Sequence, residues 1–231
     1  RDGNNNFGTA VAGRISGDTI VFDTPVVFNS SSSLWTSVCY DQLSDRFVFA
    51  FIDSSDSSKG KAVVGKVSVN TINFDLAAQI DSETTLVGIS ATYDSSVGKV
   101  VITYSLNVGG GKAVVGSIVN GAISFGSPSS FQTENAGYIA SAYDPISEST
   151  IIVCVTNKAG RALAGKVIGN SITFGTHVVF DTEDIKFTSV AYDQASKKMV
   201  IAYISGGAKK GRLVVCTVSG GIINCGAPVD F

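Results

Sequence analysis

The chain is poor in the groups that usually carry chemistry. Its 231 residues include one histidine, one methionine, one tryptophan and four prolines. Only 16% are charged, against roughly 25% in ordinary soluble domains. With a net charge of −2, no nucleic acid or anionic membrane surface is an expected partner. No apolar run approaches the ~18 residues of a spanning helix, and no stretch keeps a helical period, so no helix is predicted. The motifs GxSxG and HExxH and a phosphate-cradling glycine loop are missing. The segment DSSDSSKG (53–60) has serine where a calcium loop needs aspartate. No cofactor, metal site or catalytic residue is therefore expected. The chain opens on Arg1-Asp2-Gly3, without initiator Met or signal peptide, as expected for a processed portion of a longer precursor.

What is abundant is glycine, 25 residues spread over many turns, with 44% hydrophobic residues, enough for a sizeable core. Leu163–Phe174, LAGKVIGNSITF, reads as two short strands around a Gly169-Asn170 turn. Counted from that turn, Ile168 faces Ser171 and Gly165 faces Phe174. The same hairpin recurs at Val11–Phe22, Val63–Phe74, Val114–Phe125 and Val214–Cys225. Its opposed pairs are Gly13/Phe22, Gly65/Phe74, Gly116/Phe125 and Gly165/Phe174, read as a ring laid over a facing glycine. In the fifth copy both members are cysteine. With Gly220-Gly221 as the turn, Cys216 and Cys225 oppose one another at closest approach, so a cross-strand disulfide and an oxidising compartment are expected. The alternative is two reduced thiols packed as small apolar groups; a zinc site lacks a second ligand pair. Cys39 and Cys154 read as buried thiols.

A second hairpin alternates with the first. Its marker is Tyr-Asp at the end of one strand: Tyr40-Asp41, Tyr93-Asp94, Tyr143-Asp144 and Tyr192-Asp193. These aspartates read as turn caps, because Ser44, Ser147 and Ser196 follow three residues later; Asp94 lacks that serine. Eleven residues after each tyrosine stand Phe51, Tyr104, Cys154 and Tyr203. The tyrosines are 53, 50 and 49 residues apart. The chain is thus expected to be a single all-β domain: a propeller-like array of about four 4-stranded antiparallel units of ~50 residues. The units run approximately 11–62, 63–113, 114–162 and 163–213, with a half-unit hairpin at 214–231.

Nine hairpins do not tile four-stranded units evenly. Either the two ends combine into an irregular closing blade, or a hairpin is left over as an unpaired edge, which natural proteins rarely leave open. Pairing it with the next molecule gives a head-to-tail contact and a filament. The expected contact residues are Val214, Val215, Thr217, Val218, Ile222, Ile223 and Phe231. Asn29 begins the only N-glycosylation sequon, in a serine-rich loop. His177 takes a loop position held by proline in sister units, as an ordinary surface residue would.

The motifs AVVGxVxGxxIxFGxPVVF and SVAYDxxSxKxVIAY, best seen in Leu163–Tyr203, give the chain its family likeness. It resembles a β-repeat of phage tail, algal-virus structural and environmental microbial proteins, over nearly the whole chain. Ala140 and Cys154 depart from it. The resemblance implies a non-enzymatic, secreted or surface-displayed repeat protein, often part of fibres. Three functions compete. The first is a structural subunit of an extracellular fibre that partners itself. The second is a carbohydrate-binding, lectin-like propeller, which needs a repeated aromatic; Trp35 has the sister positions Gly88, Tyr138 and Phe187. An enzyme is the third, disfavoured because the acids repeat symmetrically.

Overall fold

A computed structural model describes residues 5–83, 85–207 and 209–231. The fold is all-β and propeller-like, four antiparallel sheets in series plus a detached hairpin. The first strand, β1 (Phe7–Ala10), pairs with β4 at the edge of the first blade, and β2 (Gly13–Ser16) and β3 (Thr19–Phe22) form the detached hairpin. The first complete blade holds β4 (Val26–Asp41), β5 (Arg46–Asp53), β6 (Lys59–Ser68), β7 (Thr71–Phe74) and β8 (Ala78–Gln79). The second holds β9 (Leu86–Asp94), β10 (Lys99–Leu106), β11 (Gly111–Val119), β12 (Ala122–Phe125) and β13 (Ser129–Gln132). The third holds β14 (Gly137–Asp144), β15 (Ser149–Thr156), β16 (Ala159–Ile168), β17 (Ser171–Phe174) and β18 (Val178–Asp181). The fourth holds β19 (Ile185–Asp193), β20 (Lys198–Ser205), β21 (Lys210–Ser219), β22 (Ile222–Cys225) and β23 (Val229–Asp230).

Each blade is a Tyr-Asp hairpin followed by a Gly/Phe hairpin, joined by a ladder such as Phe47↔Gly65 through Asp53↔Lys59. The break between blades falls at the short segment after the Gly/Phe hairpin, led by Pro25, Pro128 or Pro228 in three copies. Its last residues fold back onto the third strand, as Ala113↔Ser129 and Ala162↔Val178 do. A proline has no amide to extend a ladder, so the sheet ends there. This phase corrects the expected boundaries. The four units are shifted by one hairpin, and the half-unit lies at the N-terminus.

The C-terminal hairpin is therefore not an unpaired edge. β21 pairs with β20 from Met199↔Cys216 to Ser205↔Lys210. Val214 and Ile223 are buried in the core shared by the third and fourth blades. Val215, Thr217, Ile222 and Phe231 remain exposed and Val218 half-buried, on the outer side and rim of that blade.

The inner strands stack in order, β4 on β9, β9 on β14, β14 on β19. No comparable contact runs from β19 back to β4 among the described residues. Middle blades are buried on both faces, and all eight residues of β15 are buried. That is why their sequence reads as a continuous apolar run. Side chains alternate between the two interfaces. Val100, Ile102 and Tyr104 of β10 face the first blade in one core cluster, and Val101 faces the third blade in another.

All five hairpin registers match the sequence expectation, including Gly13↔Phe22, Gly65↔Phe74, Gly116↔Phe125 and Gly165↔Phe174. A β-carbon on Gly65 or Gly116 would lie 2.8 Å from the facing ring, so only glycine permits the contact. A second glycine–aromatic set escaped the sequence reading. Gly8, Gly111, Gly160 and Gly211 sit under Phe28, Phe131, Phe180 and Phe231, at 2.3–2.6 Å for the same hypothetical atom. The signal was present in the aligned FGTA, GGKA, AGRA and KGRL segments.

Candidate functional site

The repeated polar residues are structural. Asp41 accepts the Leu43 amide at 2.9 Å and the Ser44 hydroxyl at 2.8 Å. Asp144 does the same with Ile146 and Ser147, and Asp193 with Ala195 and Ser196. Asp94, without the third-position serine, takes the Ser96 amide and hydroxyl instead, at 3.0 and 2.6 Å. A carboxylate thus closes each turn with whichever hydroxyl is near. Tyr40 donates to Asp45, and the Tyr93 hydroxyl receives the Leu43 amide from the neighbouring blade. Tyr143 and Tyr192 hold the same strand-end places, opposite Thr150 and Met199.

The aromatic eleven residues downstream has a partner the sequence reading missed. Tyr104 donates to Asp81 at 2.6 Å and Tyr203 to Asp181 at 2.7 Å. Lys112 reaches Asp81 and Glu83, and Arg212 reaches Asp181, Glu183 and Asp230. Each cluster ties a blade to the segment that leads into it. Burial opposes ionisation of Asp181, but the Tyr203 hydroxyl and Arg212 guanidinium outweigh it and hold the carboxyl below its usual range. Burial and Asp181 together push Tyr203 up. The first blade has Asn29 and Phe51 in these places and lacks the latch.

Cys216 and Cys225 form the expected disulfide. Cys39 and Cys154 are free thiols; burial pushes them up to about 12 and about 11. Asn29 does not lie in a loop. It is part of β4, opposite Gly8, and its side-chain nitrogen donates to Ser33 Oγ at 2.9 Å and to the Ser31 carbonyl. A glycan there leaves the nitrogen a single hydrogen and would break at least one of these bonds. His177 bonds the Phe131 carbonyl through Nε2 at 2.7 Å, between blades. No cluster of three metal-ligating groups occurs among the described residues.

Two places remain unfinished. The first is the detached half-blade. Among the described residues, β2 pairs only with β3 and β1 only with β4. In each complete blade the corresponding strand also pairs with the second strand of a Tyr-Asp hairpin. Beside this edge, Val11, Gly13, Val38, Phe47 and Phe49 line an apolar hollow of about 390 Å³. Val38 is 53% exposed, whereas its sister Val190 is 8% exposed under the third blade.

The second is an axial cup of about 200 Å³ at one end of the inner strands. Trp35, Gly88, Tyr138 and Phe187, the four sister positions, all line it. The three aromatics occupy β-bulges with φ of 48°, 47° and 51°. Left-handed backbone is costly for such residues and turns their rings out of the strand pattern. The Tyr138 and Phe187 rings meet at a tilt of 55° with centroids 5.0 Å apart, while Trp35 and Phe187 stay more than half exposed. The Thr188 hydroxyl donates to the Tyr138 carbonyl and fixes the rim.

The chain matches no protein-family model, and no curated protein is significantly similar to it. No helix among the described residues is long and apolar enough to cross a membrane.

Proposed function

We propose that this chain is a non-enzymatic structural subunit of an extracellular fibre or filament, associating head-to-tail with copies of itself through the half-blade and the outer face of the fourth blade. The observation that carries this reading is the open half-blade. Exposed strand edges flanked by apolar surface are assembly sites unless they are blunted. At the other end, Val215 and Ile204 of the fourth blade are exposed, on the face that middle blades bury against their neighbour. The disulfide supports an oxidising, extracellular location. Sedimentation velocity from micromolar to hundreds of micromolar protein tests this. Mass growing with concentration, with linear assemblies in negative stain, is expected; a monomer throughout overturns it.

A second reading, carbohydrate binding, is favoured by the axial cup, where three aromatics converge on one place instead of forming one site per blade. Trp35 is the only tryptophan, so its fluorescence reports the cup directly. A saturable shift with a pyranose sugar supports this reading, and a flat titration against a glycan panel overturns it.

A further inference from the structure

We infer that the third blade carries a binding site for a small carboxylate, built around the Arg161 guanidinium and the Gln132 side-chain amide. It lies inside the array, at the seam of the second and third blades, where Cys154 packs in their shared core. The other blades supply the template.

A column of cations runs through the four blades. Lys61, Lys112, Arg161 and Arg212 stand opposite Phe51, Tyr104, Cys154 and Tyr203 in their ladders. Three of the four meet carboxylates. Lys61 reaches Asp53 and Asp56, Lys112 reaches Asp81 and Glu83, and Arg212 reaches Asp181, Glu183 and Asp230. Among the described residues the Arg161 side chain has no ion pair or hydrogen bond, and its Nε is buried without an acceptor. A guanidinium keeps its charge and can only donate, so an acceptor has to come to it.

The sister residues show what changed. Asp81 and Asp181 divide their two oxygens. Oδ1 accepts an amide of its own turn, from Ser82 at 2.6 Å and from Glu183 at 3.1 Å, while Oδ2 accepts the tyrosine hydroxyl. Gln132 takes their place in the third blade. Its Oε1 keeps the turn, accepting the Thr133 and Glu134 amides at 2.9 and 3.3 Å. In place of the second oxygen stands Nε2, a donor, which meets Thr156 Oγ1 at 3.1 Å. Cys154 brings neither the ring nor the hydroxyl of Tyr104 and Tyr203. Glu134, the sister of Glu83 and Glu183, accepts from Asn157 Nδ2 at 3.0 Å instead. The third latch thus keeps its donors and has exchanged its carboxylate for an amide. His177 Nδ1, the other buried side-chain nitrogen without a partner, belongs to the same edge: Val179, two residues on, pairs with Arg161.

A planar carboxylate matches the guanidinium fork and can accept from Arg161 and Gln132 together. Both residues are half-buried, so a small acid can enter from the rim. Once bound, it closes the third latch as aspartate closes the second and fourth.

The test titrates the full chain with sodium acetate, against sodium chloride at matched ionic strength, following arginine Nε–H signals by NMR. The Arg161 signal, assigned by its loss in Arg161→Lys, should shift saturably with acetate and not with chloride. Acetate should also raise the melting temperature above that in chloride. Arg161→Lys replaces the fork by a point charge and should bind acetate about tenfold more weakly, read from broadening of the acetate signal. Gln132→Asp supplies the carboxylate from within. It should raise the melting temperature in chloride and abolish the acetate response. An Arg161 signal that acetate leaves in place overturns the inference, as does an equal shift in chloride, which is charge screening alone. A folded Gln132→Asp protein that binds acetate as tightly as wild type also overturns it, because the acid then sits elsewhere. Should that variant fail to fold, the wild-type titration and Arg161→Lys decide. Each result reads the same whether or not the chain self-associates.

Discussion

The first and last Gly/Phe-type hairpins fold alike and live differently. Gly13 faces Phe22 and Cys216 faces Cys225, each across a two-residue turn. Yet Ile20 is 58% exposed in the first and its sister Ile223 only 1% exposed in the last. The difference lies next to the hairpins, not inside them. A Tyr-Asp hairpin stands beside β21, whereas the described residues place none beside β2. Local pairing is thus set by turn and pattern, and burial by what the chain puts alongside.

Truncating the same isoleucine in both hairpins should separate them most. Ile223→Ala opens a cavity in the core and should cost about 2–5 kcal/mol. Ile20→Ala removes an exposed side chain and should stay within about 0.5 kcal/mol. Urea unfolding of both variants is the measurement. Equal, large losses would mean that the half-blade is packed in solution against something.

The disulfide is the next largest asymmetry, present only in the last hairpin. Cys216 and Cys225 are nine residues apart, and a loop of that size gives about 2–3 kcal/mol by chain entropy. Reductant should lower the unfolding midpoint accordingly. Combining Cys216→Gly with Cys225→Phe restores the Gly/Phe pair of the other four hairpins and should recover part of the loss while abolishing the reductant effect. An unchanged midpoint on reduction would show that the strands on either side already hold this hairpin in place.

Much of this was legible in the residues. Hairpin registers followed from counting outward from the Gly-Asn and Gly-Gly turns, because a two-residue turn leaves no freedom in pairing. The cysteine pair followed from the same count. Blade phase did not, since either order of two alternating hairpins gives the same periodicity, and only the ladder between Asp53 and Lys59 decides it. Asn29 read as a loop residue because its serine-rich surroundings conceal a strand paired to Gly8. The axial cup was hidden for another reason. Trp35, Gly88, Tyr138 and Phe187 were recognised as sisters, but four unlike residues looked like no site until the inner strands brought them to one axis. The Tyr–Asp latches needed two sister columns to be read together.

The smallest contrast is between blades with and without that latch. Tyr203→Phe makes the fourth blade resemble the first, where Phe51 has no hydroxyl to offer, and should cost about 1–2 kcal/mol for a hydrogen bond to a carboxylate. Its pH dependence fixes the cause. Asp181 is held below its usual range in the fold, so its contribution is present above the unfolded carboxylate value of about 4 and is lost as pH falls through the folded one. Tyr203 is raised, so its contribution is present below the unfolded value of about 10 and is lost as pH rises through the folded one. The stability gap between wild type and Tyr203→Phe should therefore be flat from about pH 4 to 10 and shrink on both sides. Chemical unfolding across that range tests it. A gap that persists unchanged at pH 3 would mean the hydroxyl stabilises the blade by packing alone, and that the first blade lacks nothing by having phenylalanine there.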